Sequence, residues 1–235
     1  MQDVANGISA GAGGWSFHDV EPGKFAKHVR SSVPIYQEAH DLTVQLSTFF
    51  LSGTPRLYDL GCSHGELTCR LADSVAHANV QVIGIDESSD LLTAARSACD
   101  ADNVEFEQAS ILDYEFLPSS MIVSAFTLQF IKPRDRYDLV KKLWEALDWG
   151  GGLLVFEKLR APDARFEDWM TQLYEEWKVA QGFSVEEVYN KRTSLRGVLE
   201  PFSESANVDM LSKAGFRDIS SICRYLNFGG FLAIK

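Results

Sequence analysis

The stretch that most constrains the fold of this chain is Leu57-Tyr-Asp-Leu-Gly-Cys-Ser-His-Gly-Glu66. Three apolar residues surround one acid, Asp59, and a five-residue turn with glycine at each end follows. A helix-forming run then begins at Glu66. The pattern predicts a buried strand, a tight turn in which Gly61 and Gly65 allow positive φ angles, and a helix whose first N–H groups face a ligand.

A second apolar strand, at residues 80–86, ends in another acid, Asp86. Asp86 follows Gly61 at about the spacing of the carboxylate that binds a ribose hydroxyl pair in doubly wound folds. The turn reads Gly-x-Ser-x-Gly and lacks the lysine of phosphate-binding loops. We therefore expect S-adenosylmethionine (SAM), which has no phosphate, with Asp59 accepting a hydrogen bond from its ammonium group. The alternative for Asp86 is a residue that only caps a strand.

Strands and helices alternate through the centre of the chain. Strands are predicted at residues 56–60, 80–86, 104–108, 121–126 and 153–157, with helices at residues 66–76, 89–99 and 134–147. Helices between successive strands imply a parallel sheet with right-handed crossovers. A short helix at residues 208–214 precedes two edge strands, at residues 216–222 and 225–234, that we expect to be antiparallel. The predicted fold class is therefore α/β, with a doubly wound, mostly parallel, seven-stranded Rossmann-like sheet.

Two helical segments flank this alternation and are predicted to cover the ligand. One precedes the first strand and has apolar residues at helical spacing up to about Leu51. The other is a helical insertion after the fifth strand, where inserted segments lie above the carboxyl ends of the strands. We expect a flexible lead-in at residues 1–14 and one SAM-binding domain at residues 15–235, with lid segments at residues 15–52 and 160–200. For the N-terminal helical lid, the alternative is a helix that only covers a sheet edge.

The composition argues against several classes of function. With 235 residues, 46% of them apolar, the chain can bury one large core. We expect no membrane span, because no apolar run approaches the roughly 20 residues that cross a bilayer. A formal net charge of −11 disfavours nucleic acid as a partner. No signal peptide is apparent, the four cysteines lack a Cys-x-x-Cys pair and the five histidines form no cluster, which indicates a cytoplasmic protein with reduced thiols and no metal site.

Motifs across nearly the whole chain resemble class I SAM-dependent methyltransferases, and among them the carboxy-SAM synthase group. These motifs are Trp15-Ser-Phe17, Ser32-Val-Pro-Ile-Tyr36, Asp59-Leu-Gly-Cys-Ser-x-Gly65, Asp86, Phe126-Thr-Leu-Gln-Phe130 with Pro133, Gly151-Gly-Leu-Leu-Val155, Glu157-Lys158, Lys191-Arg192 and Asn227-Phe-Gly229. The resemblance implies a SAM-dependent transferase. In the carboxy-SAM synthase group, SAM and prephenate give a carboxylated sulfonium.

The resemblance also implies positions for the cofactor site. It places cofactor contacts at Tyr36, Gly61, Cys62, Ser63, Asp86 and Ile111, and it implies that Arg192 holds a carboxylate. Asp59, Gly65, Glu87, Ser110 and Ala125 complete the predicted cofactor-binding set. At two positions the chain departs from the group, because Ala125 replaces an asparagine and Ser110 replaces an aspartate near the adenine. Alanine at position 125 leaves a larger and less polar floor beside the methionine end of SAM.

The chemistry of a sulfonium limits which catalytic residues the sequence can identify. The methyl group is already electrophilic, so a transferase mainly has to align the reacting atoms and exclude water. The candidate catalytic residues are Tyr36, Tyr174, Tyr189 and Arg192, the last because its planar guanidinium suits a carboxylate. The alternatives are an aromatic lid residue for Tyr174 and a surface ion pair for Arg192.

Four functions are compatible with these residues. The first is methyl transfer to a small molecule enclosed by the aromatic lid, and the second is carboxy-SAM synthesis. The third is cyclisation of SAM without an acceptor, which gives azetidine-2-carboxylate and methylthioadenosine. The fourth is SAM binding without catalysis. The expected partner is a small-molecule substrate or SAM alone, and a homodimer remains open.

Overall fold

The computed structural model describes residues 1–4, 6–17 and 20–235. A short two-stranded sheet is formed by β1 (Gln2–Asp3) and β2 (Ser9–Ala10). The strands of the main sheet are β3 (Arg56–Leu60), β4 (Gln81–Asp86), β5 (Val104–Gln108), β6 (Ser119–Ala125), β7 (Leu147–Lys158), β8 (Asp218–Tyr225) and β9 (Phe228–Ile234). The helices are α1 (Pro22–Ser32), α2 (Tyr36–Ser47), α3 (Glu66–Val75), α4 (Ser89–Ala98), α5 (Pro133–Ala146), α6 (Ala164–Ala180), α7 (Val185–Ser194) and α8 (Glu204–Ala214).

The main sheet has the strand order β5-β4-β3-β6-β7-β9-β8. Strands β3 to β7 pair in parallel, whereas β9 is antiparallel to both β7 and β8. The order reverses between β3 and β6, and ligands of open α/β sheets bind at such a switch point, beyond the carboxyl ends of the strands. The predicted fold class, a mostly parallel seven-stranded Rossmann-like sheet, is therefore confirmed.

Alternate residues of the central strand β3 pack on opposite faces of the sheet. Tyr58 and Leu60 belong to a core cluster that includes residues of α5 and α8. Leu57 belongs to a second cluster that includes residues of α2 and α3. All three side chains are fully buried, as expected for a strand covered on both faces.

The described part of residues 1–14 contains structure that the sequence did not predict. Strands β1 and β2 pair, and Val4 and Ile8 are buried in a cluster with Trp15 and residues of α1. The backbone N–H of Gly13 also donates to the carbonyl of Thr193 at 3.0 Å. These contacts attach the segment to α7. The division into a flexible lead-in and one domain stays a prediction.

The N-terminal helical segment is longer than the sequence predicted, because α1 precedes α2. The insertion after β7, the fifth strand of the main sheet, forms α6 and α7. None of the described helices has the length and apolar character needed to cross a membrane.

Candidate cofactor and substrate site

A cavity of about 390 Å³ lies at the carboxyl ends of the central strands. Its wall includes Asp59 and Gly61 from β3 and the turn after it, Asp86 at the end of β4, Ala125 at the end of β6 and Lys158 at the end of β7. Residues of α1, α2, α6 and α7 complete the wall. Both segments that the sequence predicted to cover the ligand therefore contribute to one cavity.

The turn after β3 has a backbone that requires glycine. Gly61 and Gly65 have φ angles of +68° and +78°. A Cβ on Gly61 would lie 2.4 Å from Thr127 Oγ1, and one on Gly65 would lie 2.8 Å from the Cβ of Ala95. Gly61 therefore lets the turn approach the segment that follows β6, whereas Gly65 lets α3 pack against α4.

The carboxylate of Asp86 is held by backbone N–H groups. Its Oδ2 accepts a hydrogen bond from Ser63 N at 2.9 Å, and its Oδ1 accepts one from Ser88 N at 2.9 Å. A carboxylate offers about four lone-pair positions, so it can also accept bonds from ribose hydroxyls. The position and orientation of Asp86 thus fit the ribose contact that the sequence predicted.

Asp59 is a buried acid in the same wall. Thr68 Oγ1 donates to its Oδ2 at 2.7 Å. Burial raises the pKa of Asp59 to about 6, and the bond from Thr68 partly opposes this increase. The carboxyl is therefore mostly ionised at neutral pH, where it can accept a hydrogen bond from the ammonium group of SAM.

Tyr36, the first residue of α2, contributes an aromatic ring to the cavity wall. Its ring centroid lies 4.2 Å from that of His40 and 6.3 Å from that of Phe126. Its hydroxyl donates to Glu66 Oε2 at 3.5 Å. Burial raises the pKa of Tyr36 well above its ordinary value, so the phenol stays protonated and can donate, but it is a poor general base.

Three lysines gather beside this wall, and we call Lys158, Lys178 and Lys191 the lysine cluster. The ammonium groups of Lys158 and Lys178 lie 4.6 and 4.8 Å from the centre of the Tyr174 ring, and that of Lys191 lies over the ring of Trp15. Lys178 and Lys191 are 5% and 8% exposed, whereas Lys158 is half-buried.

The lysine cluster has no ion-pair partner within the described part of the chain. No carboxylate there lies within 4.0 Å of these three ammonium groups, although Glu167 and Glu175 act on Lys158 from farther away. Desolvation lowers the pKa of Lys158 and of Lys178 to about 8, and it lowers that of Lys191 strongly. Lys158 and Lys191 belong to the cavity wall, whereas Lys178 lies outside it, over the ring of Tyr174. The cavity therefore has a positive region beside its predicted cofactor region.

Tyr174 lies at the centre of this positive region. Its hydroxyl donates to the backbone carbonyl of Ser32 at 2.6 Å, which joins α6 to the end of α1. Desolvation raises the pKa of Tyr174 well above its ordinary value. The ring lies against the ammonium groups of Lys158 and Lys178, and the hydroxyl is already used in the bond to Ser32. The catalytic role of Tyr174 stays a prediction.

Most residues predicted from the sequence lie in the cavity wall, and four do not. Those in the wall are Tyr36, Asp59, Gly61, Cys62, Ser63, Asp86, Glu87, Ile111, Ala125 and Tyr174. The four outside it are Gly65, Ser110, Tyr189 and Arg192. The side chain of Arg192 is 68% exposed and pairs with Glu175 at 3.2 Å. Arg192 nevertheless lies close enough to lower the pKa of Lys158, and its assignment to a carboxylate stays a prediction.

The backbone of Ser110 stabilises the turn beside the cavity. Its carbonyl accepts hydrogen bonds from the N–H groups of Asp113 and Tyr114, while its neighbours Ala109 and Ile111 line the cavity. Its predicted cofactor contact is thus not formed by a wall-lining side chain, and that role also stays a prediction.

Sequence reasoning missed several wall residues. His28 and Ser32 lie on α1 and share its inner face with Phe25 and Val29, but only two of these four positions are apolar, so the helical period was not visible as an apolar pattern. Lys158 and Lys191 belong to the motifs Glu157-Lys158 and Lys191-Arg192, but no role was predicted for either, and no motif included Lys178. Within the described ranges, no group of three or more His, Cys, Asp or Glu side chains is arranged to hold a metal ion.

Comparison with known sequences identifies the family. A family model described as a methyltransferase domain matches residues 57–151. A carboxy-S-adenosyl-L-methionine synthase of Staphylococcus epidermidis is 34% identical over 222 residues, which cover 94% of this chain and 97% of that protein. Another from Wolinella succinogenes is 35% identical over 227 residues, which cover 94% and 93% of the two chains.

Solved structures show the same fold at low sequence identity. Human N-acetylserotonin methyltransferase in complex with SAM has a TM-score of 0.63 and 16% identity, and the match covers 91% of this chain but 56% of that one. A SAM-dependent methyltransferase of Methanosarcina mazei has a TM-score of 0.60 and 18% identity, and the match covers 81% of this chain and 96% of that one.

Fold, cavity and relatives agree that this is a SAM-dependent transferase. The cradle formed by the turn after β3, Asp59 and Asp86 fits the sulfonium nucleoside, with Asp86 suited to its ribose and Asp59 to its ammonium group. The chain belongs to the carboxy-S-adenosyl-L-methionine synthase family of class I SAM-dependent enzymes.

Proposed function

We propose that this enzyme carboxylates the methyl group of SAM, using a small carboxylate-bearing molecule as its second substrate. The observation that carries the proposal is the lysine cluster, which gathers three amines without a carboxylate partner in the described chain beside the SAM cradle. The sequence favoured methyl transfer first, but the names of the relatives favour carboxy-SAM synthesis.

The cost of burying charge is the reason that the cluster implies an anion. An ammonium group removed from water without a partner is unfavourable, and the lowered pKa values of Lys158 and Lys178 reflect this cost. A bound carboxylate would offset the cost by pairing with these groups. The cavity therefore favours an anionic second substrate over a neutral one.

The register of the sheet supports an anion site next to the reacting end of SAM. In the parallel pairing of β6 and β7, Ala125 lies opposite Phe156, and Lys158 follows two residues later. Neighbouring strands are about 4.8 Å apart. An anion held by Lys158 would thus lie beside the floor that Ala125 is proposed to form under the methionine end of the cofactor.

The reaction replaces a C–H bond of SAM with a C–C bond, and with prephenate it breaks one C–C and one C–O bond of the second substrate. The SAM methyl group loses a proton and forms a carbon–carbon bond to the carbon dioxide unit that leaves the second substrate. With prephenate, the second substrate that the family resemblance implies, loss of this unit and of hydroxide makes the ring aromatic, and the hydroxide takes up the methyl proton as water. The lysines would hold carboxylates while the enclosed wall excludes bulk water.

Mass spectrometry of the nucleoside products tests the proposal. Purified protein is incubated with SAM alone and with SAM plus prephenate. We expect SAM to gain the mass of one carbon dioxide unit only when prephenate is present. SAM that stays unchanged in both incubations would contradict the proposal.

Methyl transfer to a small anionic acceptor is a second candidate, and Ala125 favours it. Alanine at the end of β6, with Tyr36 and Phe126 nearby, leaves an apolar floor that an acceptor can occupy. Formation of S-adenosylhomocysteine with a methylated acceptor would support this candidate. Neither the relatives nor the lysine cluster supports acceptor-free cyclisation, so we do not propose it.

A further inference from the structure

A chain of hydrogen bonds runs from Asn6, in the turn between β1 and β2, to His28 and Ser32 on α1. Asn6 Nδ2 lies 3.3 Å from His28 Nδ1, and His28 Nε2 lies 3.3 Å from Ser32 Oγ. His28 is 2% exposed and Ser32 is 8% exposed, and both belong to the cavity wall. The direction of each bond determines what Ser32 can offer to a ligand.

Ser31 fixes the orientation of the Asn6 amide. The single hydroxyl hydrogen of Ser31 is directed to the carbonyls of Lys27, at 2.9 Å, and His28, at 3.2 Å. Ser31 Oγ can therefore only accept from Asn6, and its 3.4 Å contact is with the amide nitrogen Nδ2. The same nitrogen then donates to His28 Nδ1.

The tautomer of His28 follows from that bond. A neutral imidazole has one N–H, so a ring that accepts at Nδ1 carries its hydrogen on Nε2 and donates it to Ser32 Oγ. Burial, followed by the charges of Lys191 and Lys178, lowers the pKa of His28 to about 3. The ring is therefore neutral at physiological pH, and the assignment holds there.

Ser32 is left with a hydroxyl hydrogen to donate. Its oxygen accepts from His28, and within the described residues no acceptor lies in hydrogen-bond reach of its own hydrogen. The carbonyl of Ser32 accepts from the Tyr174 hydroxyl at 2.6 Å, so the residue is held beside the ring that supports Lys158 and Lys178. The donor thus lies next to the lysine cluster.

We infer that the Ser32 hydroxyl donates a hydrogen bond to a carboxylate of the second substrate, and that His28 is the positioning residue that aims it. This inference rests on the proposed function for the identity of the ligand. It adds a neutral, directional donor to the amines of the lysine cluster, which attract an anion but select its orientation weakly.

Binding of malonate, a small dicarboxylate, to protein saturated with S-adenosylhomocysteine tests the inference without requiring turnover. Titration calorimetry is expected to show that Ser32→Ala weakens the binding of malonate roughly tenfold, which is the effect of one hydrogen bond to a charged group. His28→Phe should weaken it similarly, whereas His28→Gln, which keeps an N–H donor, should retain most of the affinity. Ser97→Ala, which removes an exposed hydroxyl that donates to Thr93 O within α4, is the matched control.

Two further readouts separate a local effect from unfolding. All four variants should bind S-adenosylhomocysteine as the wild type does. The ¹⁵N shifts of His28 in the wild type should show hydrogen on Nε2 and a bare Nδ1. Equal malonate affinity in wild type and Ser32→Ala, no malonate binding by the wild type, or hydrogen on Nδ1 would each overturn the inference. None of these results depends on whether carboxy-SAM forms, so failure of the proposed function is detected separately.

Discussion

The backbone N–H of Ser63 donates to Asp86 Oδ2 at 2.9 Å, and this bond ties the glycine turn after β3 to the end of β4. The two elements that a SAM nucleoside would touch are thereby fixed relative to each other before a ligand arrives. Ser63 has a positive φ of 54°, which belongs to the same tight turn as Gly61 and Gly65. The carboxylate thus both organises the turn and lines the cavity.

Replacing this carboxylate should weaken nucleoside binding. Asp86→Ala is expected to weaken the binding of SAM and of S-adenosylhomocysteine roughly 10- to 100-fold, because hydrogen bonds from the ribose to a charged group are lost. Titration calorimetry measures both constants. Asp90→Ala, at an exposed position in the first turn of α4, is the control and should leave them unchanged. Equal affinity in wild type and Asp86→Ala would contradict the ribose assignment.

The turn itself should tolerate no side chain at Gly61. Gly61→Ala combines a left-handed backbone with a contact of 2.4 Å to Thr127 Oγ1, so we expect a loss of about 2–4 kcal/mol in the free energy of unfolding. Gly150→Ala has a similar φ of +81° but meets no atom within 4 Å, and it should cost about 1 kcal/mol. Urea denaturation of both variants measures the difference. Equal losses would show that the contact with Thr127 is unimportant.

The affinity for SAM should depend on pH through Asp59. Protonation removes the negative charge that accepts from the ammonium group, so affinity is expected to rise with pH through about 6 and level off above it. In the protein without SAM, the contribution of Asp59 to folding stability has the opposite dependence on pH. A folded-state pKa raised from 3.8 to about 6 makes the contribution of Asp59 to stability fall as pH rises through that window. Asp59→Asn should flatten both profiles, and an unchanged profile in this variant would contradict the assignment.

Removing one amine from the lysine cluster should separate stability from function. Lys158→Met relieves an unpaired charge, so the melting temperature is expected to stay equal or rise, while the KM for prephenate rises about tenfold or more. The affinity for S-adenosylhomocysteine should change little. Lys141→Met, at an exposed position on α5, is the control. A lower melting temperature with an unchanged KM would indicate that Lys158 is structural.

The sheet was predictable because its signals are local. The apolar run of β3, its glycine turn and the start of α3 lie within a few residues of one another, and the predicted strand at residues 56–60 matches the observed one. Helix α1 was missed because only Phe25 and Val29 mark its apolar face, while His28 and Ser32 occupy the other buried positions. Polar residues on a buried face hide the helical period.

The lysine cluster was less predictable because it arises from tertiary packing. Lys158 comes from β7, Lys178 from α6 and Lys191 from α7, and nothing local marks a lysine as buried. Lys191 and Arg192 show why the sequence alone does not identify which of two neighbouring basic residues faces the cavity. Neighbouring residues on a helix point about 100° apart, and Lys191 shares the buried face of α7 with Val188, three residues earlier.

A crystal structure of the protein with S-adenosylhomocysteine and malonate would examine both halves of the cavity together. We predict the ribose hydroxyls within hydrogen-bond distance of Asp86, the ligand ammonium beside Asp59, and one malonate carboxylate among Lys158, Lys178 and Lys191. A nucleoside located away from the turn after β3, or malonate outside the cavity, would contradict the assignment of SAM and an anionic second substrate to this site.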